Sequence, residues 1–254
     1  MKHIFFPLLF LISQLFSQSN LEKANSAYAS RALGSIKNKA DGSQIKSAIK
    51  FYLAAIENEN SIEASIGILK SYYYYGKYAL DDNDEKKKIF NDAVSLGEKF
   101  IIDNPESPGI RYWYLVNLGS WAEEYGVIAA ARSGFADTMK VHSEKIIKLD
   151  NKYNDGGGYF MLGVVHLRAP YVPFFLSWPD KDKAEKLLKS ASITGKYTLP
   201  QKFNYAKALY KNNKTKEALD LLKNIIKSTP SGENRVESWD QIIEAEKYIQ
   251  NIKE

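Results

Sequence analysis

The sequence predicts an all-α fold: a superhelical stack of antiparallel helical hairpins closed by a C-terminal capping helix. Three observations predict it. Apolar residues recur with a helical period along nearly the whole chain, small residues return in one register in successive segments, and alternating strand patterns of useful length are absent. The run 72–75 is the only strand candidate, and it sits inside a helical stripe. Composition agrees, since 254 residues at 44% hydrophobic and 26% charged describe a globular chain able to bury a sizeable core.

The N-terminus comes first. Lys2 and His3 precede an apolar run of 13 residues, 4–16, and small residues follow at Ser17 and Ser19. The run is shorter than the roughly 20 residues a bilayer core needs, so the segment 1–17 reads as a cleaved secretory signal rather than an anchor. Cleavage is expected after Ser17 or Ser19, leaving 18–254 as a single helical-repeat domain. The absence of cysteine excludes disulfides, thiolate zinc sites, cysteine nucleophiles and a lipidated N-terminus. The expected location is therefore the periplasm or cell exterior, as a soluble chain that is not a lipoprotein.

The remaining elements follow from stripes and breakers. In 43–57 the apolar positions are Ile45, Ala48, Ile49, Tyr52, Leu53, Ala55 and Ile56, one face of a 3.6-residue helix. In 215–227 they are Ala218, Leu219, Leu221, Leu222, Ile225 and Ile226. Breakers at 41–42, 58–60, 81–84, 104–109, 154–158, 170–173, 195–200, 212–213 and 229–232 cut the chain into about eleven helices. Four segments share one register: Ala48-x3-Tyr52-x2-Ala55, Ala93-x3-Gly97-x2-Phe100-x4-Pro105, Ala184-x3-Leu188-x2-Ala191 and Ala218-x3-Leu222-x2-Ile225-x4-Pro230. The gap between Ala93 and Ala184 leaves room for one further repeat, ending near 139–149. Small residues at these points let two helix backbones cross closely.

This register resembles the second helix of the tetratricopeptide repeat (TPR). Tyr159-x2-Leu162-Gly163-x2-His166 resembles its first helix, with His in the Tyr place, and Ile66-x2-Leu69-Lys70-x2-Tyr73 matches it without the Gly. The resemblance implies stacked hairpins and a protein-binding role. The stretch 110–230 is also similar to the T component of TRAP transporters. The residues behind that likeness are Trp113 through Gly119 and Trp121, then Gly156-Gly157-Gly158-Tyr159, then the Pro170/Pro173 loop before Ala184. That likeness implies an accessory binding a small ligand and a transport partner. The chain departs from that family in having no cysteine to lipidate.

No catalytic constellation is found, and no cofactor or metal is expected. His142 and His166 fall in different repeats, His166 at a packing position, and no HExxH is present. The acidic run 81–85 has Lys86 and Lys87 where a calcium loop needs a ligand and a Gly, so it reads as a helix cap. Gly156 to Gly158 lack the Lys-Ser/Thr of a phosphate loop and read as a flexible helix start. Glu123 and Glu124 are neighbours, about 100° apart on a helix, and do not form an acid/base pair. The proline-stiffened insertion 170–178 carries Tyr171, Phe174, Phe175 and Trp178. It either plugs the superhelix or walls a groove, and with Tyr112, Trp113, Trp121, Tyr125, Tyr159 and His166 it makes the candidate binding set.

Charge completes the reading. Residues 180–227 hold 12 Lys against 5 Asp and Glu, with no Arg, whereas 233–254 hold 3 basic against 6 acidic residues. Lysines on solvated helix faces account for the first block better than nucleic acid does. The second, with Val236, Trp239, Ile242, Ile243, Ile249 and Ile252 on one side, reads as the cap a repeat array requires. The expected partner is another protein, with a small molecule as the alternative. Nucleic acid and an integral membrane segment are not expected, and a second copy of the chain also qualifies.

Overall fold

The computed structural model describes residues 18–59, 61–126, 134–170 and 176–253. Eleven α-helices occur among the described residues: α1 (Asn20–Ala29), α2 (Ser43–Glu59), α3 (Ile62–Tyr74), α4 (Asn83–Asp103), α5 (Pro108–Tyr125), α6 (Phe135–Leu149), α7 (Tyr153–Arg168), α8 (Lys181–Thr194), α9 (Leu199–Lys211), α10 (Thr215–Ile226) and α11 (Arg235–Lys253). No strand is assigned among them; an isolated β-bridge joins Ile36 and Lys39. The segment 72–75 lies in α3 and the start of a π-helical turn, Tyr75–Ala79, that extends it. Leu176 and Trp178 of the insertion are placed, whereas Tyr171, Phe174 and Phe175 lie outside the described residues, as does the proposed signal. None of the described helices is long and apolar enough to cross a membrane.

Each start has a local cause. Ser19 opens α1 with a reciprocal capping box, its hydroxyl accepting from the Glu22 N–H while Glu22 accepts from the Ser19 N–H. Ser61 and Ser107 cap α3 and α5, and Pro108 fits the first turn of α5. The acidic run before α4 is a cap as expected, with Asp82 accepting from the N–H groups of Asp84 and Glu85. Asp180 caps α8 in the same way, with Pro179 just outside the helix.

The helices pair into five hairpins, α1/α2 to α9/α10, and α11 stands alone. Each second helix packs on the first helix of the next hairpin, and the first helices α1, α3, α5, α7, α9 and α11 also touch one another in series. The first helices therefore form the inner layer. The repeat alanines Ala48, Ala93, Ala184 and Ala218 are completely buried. Gly163 does what its register requires: a Cβ there would stand 2.7 Å from Leu188 Cγ and 3.2 Å from its backbone N, on α8. The start of α7 differs from the flexible segment expected. Asn154, Asp155 and Gly156 have positive φ, a Cβ on Gly157 would stand 2.6 Å from the Tyr112 ring, and Gln201 donates to the Asp155 carbonyl. Close packing, not freedom, is what these glycines provide.

The array closes on itself. α11 packs its later turns on α9 and α10, with Ile242 and Ala245 in a core with Phe203 and Leu222. Its first turn reaches the N-terminal core, where Val236 is buried with Ala24 and Tyr74.

Candidate functional site

The aromatic residues singled out in the sequence divide into three groups. Tyr112 and Trp113 meet edge to face at 5.4 Å, with Tyr153 and Tyr73 beside them and the Lys70 ammonium 5.5 Å over the Trp113 ring. Trp121 stacks on Tyr125 at 4.7 Å, and both are hydrogen-bonded to Asn91 of α4. Trp178 stands edge-on to His166 at 4.9 Å, donates to Asp137 and lies under Lys140. Tyr159 is half-buried on α7. No single wall unites the three groups.

The histidines are held neutral. His166 is 4% exposed and its Nδ1 accepts from the Asp180 N–H at 3.2 Å. Burial, aided by the Lys183 charge, pushes its pKa down to about 4. His142 lies 2.9 Å from the Arg111 guanidinium, and burial together with that charge lowers its pKa to about 4 as well.

The inner layer carries a feature that single-segment reading missed. Lys77, just after α3, bonds Glu123 of α5 at 3.2 Å, and Arg168 of α7 bonds the same carboxylate at 2.6 Å. Lys211 of α9 donates to the Leu167 carbonyl at 2.6 Å. These partners are separated by 46, 45 and 44 residues, so the ladder repeats with the array. Lys207 joins it between the Phe203 and Tyr248 rings, 5.3 and 5.4 Å from their centres. Burial, then the charges of Arg168 and Lys211, push the Lys207 pKa down to about 8. Burial raises the Glu123 pKa, but Lys77 and Arg168 outweigh it and hold the carboxyl below its usual range. In the sequence Lys77, Glu123, Arg168 and Lys211 stand at or near the ends of α3, α5, α7 and α9, but each alone looks like an ordinary surface charge.

No family model matches the chain, and no curated protein matches it. Among solved structures, it is similar to a thermophilic TPR protein of Thermus thermophilus, with a TM-score of 0.60 and 14% identity over 89% of this chain and 99% of that one. The fold is of the TPR type. At that identity the likeness concerns architecture alone.

Two hollows open on the TPR array. The first is a cleft of about 560 Å³ between α1 and α3, bounded by Asn25, Tyr28, Glu63, Ile66, Lys70 and Tyr153. Its polar groups are ordered: Asn25 donates to Glu63 at 2.8 Å and accepts from the Tyr52 hydroxyl at 2.6 Å. Burial lowers the Lys70 pKa, and nearby Arg31 adds to the effect. The second is an apolar cavity of about 360 Å³ between α5, α6 and α7, walled by Ala122, Phe135, Met139, Val165 and Leu176, with Glu123 and Arg168 at its rim. None of the aromatic residues of the candidate binding set lines either hollow among the described residues.

Proposed function

We propose that this protein is an exported, non-enzymatic protein-binding module whose inner face takes an extended segment of a partner. The cleft between α1 and α3 carries this reading. It offers hydrogen-bonding groups of both kinds, a cation at Lys70 and an apolar strip at Ile62 and Ile66, the mixture an extended peptide needs. The first helices line an extended surface, which is what stacked repeats commonly supply for binding. The test is chemical cross-linking and affinity capture from a periplasmic extract, comparing the parent chain with Lys70→Glu. A partner set lost in the variant, with an unchanged melting curve, is the expected result. Equal capture by both would sink the assignment of this cleft.

Export is tested by the N-terminus of the secreted chain. Ser19 caps α1 and donates to Glu22, so cleavage after Ser17 keeps the cap, whereas cleavage after Ser19 removes it. A mature chain starting at Gln18 is expected by intact-mass measurement, and retention of residue 1 would overturn export.

A second reading, an accessory similar to the TRAP T component that binds a small ligand and a transport partner, is favoured by the apolar cavity. Its 360 Å³ lies at the lower end of the ~300–1,000 Å³ usual for small-molecule sites.

A further inference from the structure

The cavity between α5, α6 and α7 is unlike an ordinary packing defect in two respects. Gly119 faces it, and a Cβ there would find no atom of the described residues within 4 Å. Close packing normally fills such a position, and here no described residue does. The second respect is charge. At the rim, Lys77 and Arg168 share the single carboxylate of Glu123. Lys207 and Lys211 stand beside them, Lys211 bonded to a backbone carbonyl and Lys207 held by aromatic rings. Neither forms an ion pair within 4.0 Å among the described residues. Glu244 and Asp240 act on the cluster only from farther off, and Glu244 is itself paired with Lys247.

Cations gathered on a partly desolvated surface repel one another, and an incoming anion relieves that cost. An apolar hollow beside them takes a chain that water excludes. From this juxtaposition we infer that the cavity binds a single-chain amphiphile, its tail among Ala122, Phe135, Met139, Val165 and Leu176 and its anionic head at Arg168 and Lys207. The inference deepens the small-ligand reading and rests on it. A neutral head leaves the cations unrelieved, and a cationic head adds to them, so the site discriminates by head charge as well as by tail. The depressed pKa of Lys207 agrees, because it reports the cost of the charged form at this point, which a nearby anion would reduce.

The test uses three probes with the same tail, dodecanoate, dodecanol and dodecyltrimethylammonium, titrated below their aggregation limits by calorimetry against the full exported chain. Dodecanoate should bind saturably at one per chain, with dodecanol about tenfold weaker and the cation weaker still, tenfold corresponding to about 1.4 kcal/mol. Arg168→Gln, at a side chain 45% exposed, should remove most of the preference for dodecanoate while leaving dodecanol binding unchanged. Gly119→Leu places a side chain in the open space and should abolish binding of all three without lowering the melting temperature. Dodecanol binding as tightly as dodecanoate, or Gly119→Leu binding like the parent, overturns the inference. Absence of dodecanoate binding does so too, and leaves the protein-binding reading standing. Binding of dodecanoate without capture of any transport partner would remove the accessory role and keep the site.

Discussion

At the scale of single residues, His166 shows how burial sets a chemical state. Its Nδ1 accepts a backbone N–H, its ring abuts Trp178, and its Nε2 meets no partner among the described residues. The sequence placed it as a packing residue, and its burial agrees. The unfolded imidazole titrates near 6.5, whereas the folded one titrates near 4. The folded pKa is the lower, so the stability from keeping this group neutral is complete above pH 6.5. It is lost progressively as pH falls through 4, by roughly 3 kcal/mol at most. His166→Asn keeps an acceptor for the Asp180 N–H and cannot titrate in this window. The expected outcome is a melting temperature for the parent that falls more steeply between pH 6.5 and 4 than that of the variant. Parallel curves would mean that another group controls this range.

At the scale of helices, glycines on adjacent elements have opposite roles. Gly163 lets α7 and α8 approach until a Cβ would strike Leu188, whereas a Cβ on Gly119 of α5 would meet no described residue. Gly163→Ala should cost about 1–3 kcal/mol through overpacking. Gly119→Ala should gain about 0.5–1 kcal/mol, because alanine restricts the unfolded chain and favours the helix. Urea unfolding of the two variants checks both signs together. The first of these was legible in the sequence, since Gly163 occupies the small-residue position of a repeated register. The second was not, because a register says which residues face inward and not whether the space they face is filled. The same limit explains the ladder of Lys77, Glu123 and Arg168. Each residue looks like an ordinary solvated charge within its own helix, and only stacking at a spacing near 45 residues brings the three together. The aromatic set failed to form one wall for a related reason. Trp121 and Tyr125 turn toward α4 and Trp178 toward α6, and helix rotation decides such directions by packing on both neighbours.

At the scale of the molecule, the decisive feature is that the last helix returns to the first hairpin. Arg31, 3% exposed, pairs with Glu237 at 3.0 Å and Glu233 at 3.4 Å, bonds Asn234, and lies 4.4 Å over Tyr28 and 5.3 Å over Tyr74. Arg235 reaches back to Ser35 and the Ala32 carbonyl, and Asn38 donates to Asp240. An open array is coupled only between neighbours, so its ends fray independently. A closed one couples its two ends through α11, and opening either end exposes both the buried arginine and the pocket that receives Val236. Arg31→Ala strands the Glu237 carboxylate, whose pKa burial already raises, in a site that loses its compensating charge. Breaking a fully buried pair in this way costs about 3–5 kcal/mol, and with Glu237 24% exposed the cost here should lie at or below the lower end of that range. The expected consequence extends beyond the mutated hairpin: amide exchange should accelerate in α11 as well as in α1 and α2, some 200 residues apart in sequence. Hydrogen-exchange mass spectrometry on the parent and Arg31→Ala reads this directly. Acceleration confined to α1 and α2 would show that the clasp joins the ends without making them one cooperative unit.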